Sequence, residues 1–316
     1  MDFRGYATYA VVLLMVIAAL ALAVPFLSSS NVIVAYSEKV NYETMMVANE
    51  KGLLAEQGFD TRLVTGGIQA AEALITGSAD MAVMGDGPAV LIITKNTGAK
   101  IVARFTDGEG IHRFIASVDV SEPKGIEGKK VGLQGGSSTH AAFLRWADSK
   151  DVDMSMVTIV FMSPADIPLA MRNGEIQVMA GSEPWAVNTE KLCGNLVHEV
   201  GNSSGLGSTH PMVLMASAKI IRDNPDAVAS MIEIMRNSNE FINENWDEAM
   251  EICAARTGLS LEDQKRCSAV QSFDVGFNQT DLDSIELAAQ AMLAFRNIKS
   301  MPTVMDHVEL RFLTSI

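Results

Sequence analysis

The sequence predicts an α/β protein built of two similar lobes. After residue 30, short apolar strands alternate with helical stretches, a pattern typical of a parallel sheet covered by helices on both faces. The pattern also starts a second time, since "ALITGSADMAV" and "AMRNGEIQVMA" share one order of helix, capping glycine, exposed turn and apolar strand. With 316 residues, 48% of them apolar, the chain has enough core material for two lobes.

An apolar N-terminal run precedes these elements. No residue between Arg4 and Glu38 is charged, and residues 9–27 are almost wholly apolar. Such a run is long enough to cross a bilayer core of about 30 Å as a helix. We therefore expect a hydrophobic helix within residues 1–30, either a cleaved signal peptide or an uncut membrane anchor. Both alternatives place the rest of the chain outside the cytoplasm, in the periplasm or at the cell surface.

The first lobe is predicted to include residues 31–116. Its strands are expected at "NVIVAY", "FDTRLV", "ADMAVMG" and "AKIVARF". A helix is expected over Tyr42–Gln57, closed by Gly58, and two more over "IQAAEALIT" and "GPAVLIITKNTG". Each helix thus follows one strand and precedes the next, as a parallel sheet requires.

The second lobe is predicted over residues 117–215. Its strands are "KKVGLQ", "VTIVFM" and "EIQVMA", with one helix over "THAAFLRWADS" and another that starts at "SPAD" with a capping serine and an early proline. From about residue 220 the pattern becomes helical. We assign this block, 216–316, back to the first lobe, so the chain would cross between lobes near 115–121 and 208–216.

A glycine- and hydroxyl-rich turn, "LQGGSSTH", joins the first strand of the second lobe to its helix. Backbone N–H groups and the positive end of the helix dipole meet at such a point, which suits an oxyanion such as sulfonate, nitrate, phosphate or carboxylate. The turn lacks the Gly-Lys-Ser/Thr of a Walker loop and the G-x-S-x-G of a nucleophile elbow. An ordinary capped turn is the alternative interpretation.

Further turns follow other predicted strands, at "AYSEKVNY", "VTGGIQ", "VMGDGPA" and "GSEPWA". Ligands of open α/β sheets lie beyond the carboxyl ends of strands, so these turns are expected to converge on a cleft. Trp185 is a candidate wall of that cleft, with a core position as the alternative. Asp86 is a candidate acceptor for an amine, or a helix cap. Glu183 could accept from an amine or fix a neighbouring residue, and the alternative is a solvated charge at a helix start.

The histidines do not form a catalytic pattern. His140 stands beside the serines, but no carboxylate at a recognisable spacing marks it as the base of a triad. A hydrogen-bonding role at the helix start, or surface exposure, is expected instead. His112 and His210 lie near the predicted crossings and are therefore cleft candidates.

Net charge and cysteine content restrict the possible functions further. The formal net charge of −14 argues against a nucleic-acid partner, although a local pocket can still attract a small anion. Three cysteines allow at most one disulfide: Cys253 with Cys267 is one possibility, and three buried thiols is the other. No CxxC and no His/Cys cluster occurs, so we expect no structural zinc site. We also expect no cofactor and, because the catalytic constellations are poor, no enzymatic activity.

The segments "LQGGSSTHAAFLRWA", "FMSPADIPLAMRNGEIQVMAGSEPWA" and "VANEKGLLAEQGFDTRLVTGG" carry a resemblance. They are similar to the substrate-binding proteins of ABC importers for nitrate, sulfonate, taurine and related small molecules, the NMT1/THI5-like group. The resemblance covers roughly residues 31–310. It implies a two-lobed periplasmic-binding fold of type II that clamps its ligand by hinge closure. It also implies delivery of that ligand to a permease and an ATPase.

The turns and the resemblance together predict a ligand-binding set. Its members are Tyr36, Ser37, Asn41, Tyr42, Gly67, Gly85, Asp86, Gly136, Ser137, Ser138, Thr139, Glu183, Trp185 and His210. The predicted function is capture of a small anion, with an amine on the ligand, as in taurine, suggested by the two carboxylates. The alternatives are a binding protein for a thiamine pyrimidine precursor and a membrane-tethered ligand sensor. Pyrimidine-precursor synthases share this fold but need a cysteine-rich motif that this chain lacks.

Overall fold

Two five-stranded sheets organise residues 31–314, the part of the chain that the computed structural model describes. The N-terminal helix expected within residues 1–30 lies outside this part. Among residues 31–314, no helix combines the length and the apolar character needed to cross a bilayer.

The strands and helices alternate along the chain before the helical block. The strands are β1 (Val32–Tyr36), β2 (Phe59–Leu63), β3 (Met81–Gly85), β4 (Lys100–Thr106), β5 (His112–Ser117), β6 (Lys130–Leu133), β7 (Thr158–Phe161), β8 (Val178–Ser182), β9 (Val197–Asn202) and β10 (Met212–Ala216). The α-helices are α1 (Glu43–Glu50), α2 (Leu53–Glu56), α3 (Gly67–Ile75), α4 (Asp86–Thr94), α5 (Ser138–Ser149), α6 (Ile167–Arg172), α7 (Trp185–Cys193), α8 (Ala218–Asp223), α9 (Pro225–Glu244), α10 (Trp246–Thr257), α11 (Leu261–Ser268) and α12 (Gln279–Ala294).

The two sheets follow one plan. Their strand orders are β2-β1-β3-β10-β4 and β7-β6-β8-β5-β9, so in each sheet three strands from consecutive strand–helix units lie side by side. These three strands are parallel. The predicted two-lobed α/β fold is therefore confirmed, and we name the lobes after the first and the second sheet.

One strand in each sheet corrects the expectation of a parallel sheet. β10 runs antiparallel to β3 and β4, and β5 runs antiparallel to β8 and β9. Each of these strands enters its sheet directly from the other lobe. A parallel strand would need a crossover connection of a dozen or more residues within its own sheet.

The chain changes sheet within residues 107–111 and again within 203–211. Both changes begin several residues before the predicted crossings. The reason is that β5 is hydrogen-bonded in the second sheet and β10 in the first, and neither strand was predicted. The division of the chain into 31–116 plus 216–316 and 117–215 stays a prediction.

The helix expected over Tyr42–Gln57 is broken. Gly52 has a φ of 77°, in the left-handed region that favours glycine, and it separates α1 from α2. The two cores are formed as the pattern predicts, with helices on both faces of each sheet. Met45 and Ile92 lie in clusters of the first lobe, and Phe114 and Met179 in clusters of the second.

The helical block packs on the first lobe. α9 and α10 contribute to the same core cluster as α1, while α12 packs on α4 and also meets α5 of the second lobe. The three cysteines are all free and buried, so Cys253 and Cys267 form no disulfide in this structure.

Candidate ligand-binding site

A cavity lies between the two sheets at the carboxyl ends of their strands. The free space in it is about 670 Å³, with the solvent at its mouth included. It is bordered by the turn after β1, the start of α4 after β3, the start of α5 after β6 and the end of β8. This is the position at which open α/β sheets bind ligands.

Most of the predicted set borders this cavity. The predicted residues that line it are Asn41, Tyr42, Gly67, Gly85, Ser137, Ser138, Thr139, Trp185 and His210. They come from both lobes and from the segment that returns to β10, so the fold brings together turns that are far apart in sequence. Their contact with a ligand stays a prediction.

Lys39, in the turn after β1, is a cavity residue outside the predicted set. Within residues 31–314 its ammonium group makes no hydrogen bond and no ion pair. Burial lowers the pKa of Lys39 from its ordinary value of 10.5 to about 8. A cation that is desolvated and has no protein counter-charge is stabilised by an anion from outside.

Asn41, two residues after Lys39, has a strained backbone and a side-chain oxygen without a hydrogen-bond partner in residues 31–314. Its φ is 88°, a conformation that asparagine adopts more readily than most residues. The side chain is 6% exposed, and its Oδ1 atom accepts no hydrogen bond within the described chain. Asn41 thus offers the cavity an unused acceptor.

The start of α5 uses its hydroxyl groups internally. Oγ of Ser137 accepts from the N–H of His140 at 3.1 Å and donates to the carbonyl of Gln134 at 2.7 Å. Oγ1 of Thr139 lies 3.0 Å from a ring nitrogen of His112. The N–H groups of Ser138 and Thr139, by contrast, have no acceptor in residues 31–314. These two backbone donors, rather than the hydroxyls, are what the turn has left for an anion.

The start of α4 meets the start of α5 across the cleft. The N–H of Gly87 donates to Oγ of Ser138 at 3.1 Å. A Cβ atom on Gly87 would lie 2.7 Å from the nitrogen of Ser138, and one on Gly85 would lie 2.4 Å from its Oγ. Both glycines are therefore needed for the two helix ends to approach this closely.

Asp86, between these glycines, is 1% exposed and is not a lining residue. Its Oδ2 lies 3.5 Å from Nδ1 of His210. Burial opposes its ionisation, but the interaction with His210 and a hydrogen bond from Ser138 outweigh burial and hold the pKa of Asp86 below its ordinary value. Asp86 is thus a buried anion at the N-terminus of α4, where the helix dipole also favours a negative charge.

Two imidazoles form one wall of the cavity. The rings of His112 and His210 meet edge to face, with centroids 4.8 Å apart. Burial, together with the neighbouring His210, lowers the pKa of His112 well below its ordinary value, so this ring is neutral at physiological pH. Nε2 of each ring has no hydrogen-bond partner within the described chain.

Five predicted residues do not border the cavity. Glu183 is 5% exposed and bound elsewhere: it accepts from Arg113 at 2.8 Å and from the N–H of Val187 at 2.9 Å. The others are Tyr36, which is buried in the core, Ser37, which borders a neighbouring outer pocket, and Asp86 and Gly136. Glu183 thus belongs to a structural ion pair with Arg113.

His140 is also structural in this arrangement. It is 2% exposed, and Nδ1 accepts from the N–H of Gly136 at 3.2 Å. Burial lowers the pKa of His140 to about 4, which agrees with an acceptor nitrogen on a neutral ring. This matches the expected hydrogen-bonding role at the helix start and excludes the alternative of surface exposure.

Sequence reasoning missed several lining residues. Lys39 lies within the quoted turn "AYSEKVNY" and was the only cation in it, which is the signal that was available. His112 is a predicted cleft candidate but is not in the predicted ligand-binding set. Gln134 and Ser182 lie within the turns "LQGGSSTH" and "GSEPWA", and no further sequence signal marks them as lining residues. Among residues 31–314, no group of three or more His, Cys, Asp or Glu is arranged to hold a metal ion.

A family model described as NMT1/THI5 like matches residues 39–249, well over half of the chain. The chain belongs to the NMT1/THI5-like family. A protein of Brucella abortus (strain 2308) that is named as a binding protein is 27% identical over 211 residues. That match covers 66% of this chain and 65% of the Brucella protein, so the chain spans slightly less than two thirds of this curated relative.

The fold of this NMT1/THI5-like protein also occurs in solved structures. The alkanesulfonate-binding protein SsuA from Xanthomonas axonopodis pv. citri, bound to MOPS, superposes with a TM-score of 0.78 at 20% identity, over 88% of this chain and 98% of SsuA. The desulfurization enzyme DSZB superposes with a TM-score of 0.65 at 11% identity, over 89% of this chain and 97% of DSZB. Since a binding protein and an enzyme share the fold, function has to be argued from the site.

Proposed function

We propose that this NMT1/THI5-like protein is an extracytoplasmic solute-binding protein that captures a small organic anion, such as a sulfonate, in the cavity between its lobes. The observation that carries the proposal is Lys39, a partly buried lysine that borders the cavity and has no ion-pair partner within residues 31–314. The free N–H groups of Ser138 and Thr139 border the same cavity.

An anion would satisfy these groups together. Hydrogen bonds that involve a charged group contribute about 1.5–3 kcal/mol each, roughly twice the value of neutral ones. The indole N–H of Trp185 is a further donor at the cavity without an acceptor in the described chain. The net charge of −14 does not oppose this, because the potential inside a pocket is set by its nearest charges.

The structure also bears on the amine that the sequence suggested for the ligand. Glu183 is engaged by Arg113, and Asp86 lies behind the lining beside His210. Neither carboxylate is free to pair with a ligand amine. The proposed ligand is therefore a sulfonate or a similar anion without an amine, in preference to taurine.

The proposed cellular role follows from the family and the relatives. SsuA is named as a periplasmic aliphatic sulphonate binding protein in Escherichia coli and superposes on this chain with a TM-score of 0.77. We infer the same kind of role for this chain: capture outside the cytoplasm, closure of the lobes on the ligand, and delivery to the permease and ATPase of an ABC importer.

Calorimetric titration of the purified full-length chain tests this function. The ligands are hexanesulfonate, taurine, nitrate and bicarbonate, and intrinsic tryptophan fluorescence, to which Trp185 at the cavity contributes, provides a second signal. We expect hexanesulfonate to bind and taurine to bind more weakly. Failure of every anion to bind would refute the proposal.

A second candidate is a neutral heterocycle, in line with the pyrimidine-binding alternative. It is favoured by the unpartnered Nε2 atoms of His112 and His210 and by Oδ1 of Asn41, which suit a ring with both donors and acceptors. A hydroxymethyl aminopyrimidine in the same titration distinguishes the two. Binding of the pyrimidine without binding of any anion would favour this candidate.

A further inference from the structure

Glu43, in the first turn of α1, is a fully buried carboxylate without a cation. It is 0% exposed, and no lysine or arginine pairs with it in residues 31–314. Burial raises the pKa of Glu43, an effect that its hydrogen bonds partly offset. Burial of such an acid costs free energy, which its hydrogen bonds have to offset.

The two oxygens of Glu43 face different parts of the molecule. Oε2 accepts from the backbone N–H of Asn41 at 2.8 Å. Oε1 accepts from Ser268 at 2.7 Å, Gln271 at 3.1 Å and Gln264 at 3.2 Å. One carboxylate thus joins the turn after β1 to α11 and the residues that follow it.

The Asn41 end of this bridge belongs to the cavity. Asn41 holds a left-handed backbone conformation, which costs free energy and persists only when its surroundings fix it. Its own side chain points an unpartnered oxygen into buried space, and Lys39 stands two residues before it in the same turn. The N–H of Asn41 donates to Glu43, and the N–H of Tyr42 donates to the carbonyl of Lys39 at 3.1 Å within the same turn.

The other end is held in place by the second lobe. Asp263 of α11 pairs with Lys191 of α7 at 2.5 Å, and Cys267 of α11 packs in one small cluster with Val40 and Val187. α11 is therefore braced against α7 while it holds Glu43.

We propose that Glu43 is a positioning residue for ligand binding: it holds the turn of Lys39 and Asn41 in its binding conformation through the N–H of Asn41, braced by α11. The inference rests on the proposed function, because it assigns a role at the same cavity. Glu43 itself touches no ligand, since it is not a lining residue.

Two variants isolate this role. In E43Q the side chain keeps its shape but has one acceptor oxygen for four donors. Three of these donors lie on the α11 side, so the oxygen is expected to stay there and the N–H of Asn41 to lose its acceptor. In N41G the glycine accepts the left-handed conformation without strain, so only the cavity-facing amide is removed. The matched control is T44V, because Oγ1 of Thr44 is buried on the same helix and donates to Asn239 at 2.6 Å, away from the turn.

The first measurement needs no ligand. Hydrogen exchange of the full-length chain, followed by mass spectrometry of peptides that span residues 37–42, reports how firmly the turn is held. We expect E43Q to speed exchange in this segment by at least about tenfold, the effect of losing roughly one hydrogen bond, and T44V to leave it unchanged. Unchanged exchange in E43Q overturns the proposal.

The second measurement is affinity for hexanesulfonate. We expect N41G and E43Q each to weaken binding by roughly tenfold, and the double variant to bind worse than N41G, because the glycine keeps the N–H through which Glu43 holds the turn of Lys39. A double variant that binds as tightly as N41G contradicts this. If E43Q does not fold, E43D replaces it, since a shorter acid cannot span both partners. If the unmodified chain does not bind hexanesulfonate, the proposed function fails for this anion, whereas the exchange result still decides the role of Glu43.

Discussion

Replacement of Lys39 by methionine tests the central feature of the proposed site. Lys39 is the cation that borders the cavity without a counter-charge in the described chain. Loss of one charge-assisted hydrogen bond costs about 1.5–3 kcal/mol, so K39M should weaken hexanesulfonate binding by roughly 10- to 150-fold. Calorimetry of the two proteins side by side measures this. K299M is the matched control, because Lys299 is exposed and does not border the cavity, so its replacement should leave binding unchanged.

The pH dependence of the affinity for an anion tests the role of Lys39 more specifically. With a pKa of about 8, Lys39 is mostly charged at pH 7 and about one tenth charged at pH 9. Affinity for an anion should therefore fall about tenfold from pH 7 to pH 9 in the unmodified chain. K39M should lose this dependence, since the group that titrates is gone.

A rise in pH should increase the stability of the unliganded protein, whereas it should decrease the affinity for an anion. The folded-state pKa of Lys39 lies below its ordinary value of 10.5, so between about pH 8 and 10.5 the unfolded chain binds more protons than the unliganded folded chain. The stability of the unliganded protein should therefore rise with pH across this window. At neutral pH, K39M should unfold at a higher temperature than the unmodified chain while binding worse. Equal affinity in K39M, or a flat binding profile between pH 7 and pH 9, would refute the assignment of Lys39.

Three further variants test the surroundings of the cavity. G87A should weaken hexanesulfonate binding while the chain still folds, because its Cβ would lie 2.7 Å from the nitrogen of Ser138; circular dichroism and calorimetry check both parts. S137A should cost about 1 kcal/mol in urea unfolding through loss of the helix cap, with little change in affinity, because the Ser137 hydroxyl is used internally. R113M should cost about 3–5 kcal/mol in the same unfolding assay, since it leaves Glu183 buried without its cation.

Local pattern was sufficient for the consecutive strand–helix units of each lobe, from β1 to β4 and from β6 to β8, but not for β9. The capping glycines, the branched apolar strands and the "SPAD" helix start all act over a few residues, and the structure has elements at these places. The strands β5 and β10 were missed for a different reason. Their pairing partners lie far away in sequence, and their direction depends on the chain arriving from the other lobe.

The difference between local pattern and long-range contact also explains which site residues could be predicted. Rules about strand ends and helix N-termini place Asn41, Gly85 and Ser138 at the cavity, because these rules describe the backbone. They say nothing about which side chains find partners. Glu183 pairs with Arg113 from β5, a strand that was not predicted, and so it could not be separated in sequence from a ligand-binding acid.

The charges around the cavity favour an anion as the proposed ligand. The N-termini of α4 and α5 meet across the cleft with Lys39 at the same cavity, so three positive features converge. Asp86 at the start of α4 offsets part of this potential and holds His210 beside it. One buried carboxylate cannot balance both helix ends and a lysine. An anion between the lobes would supply the remaining negative charge, and it would do so only where Gly85 and Gly87 let the helices approach.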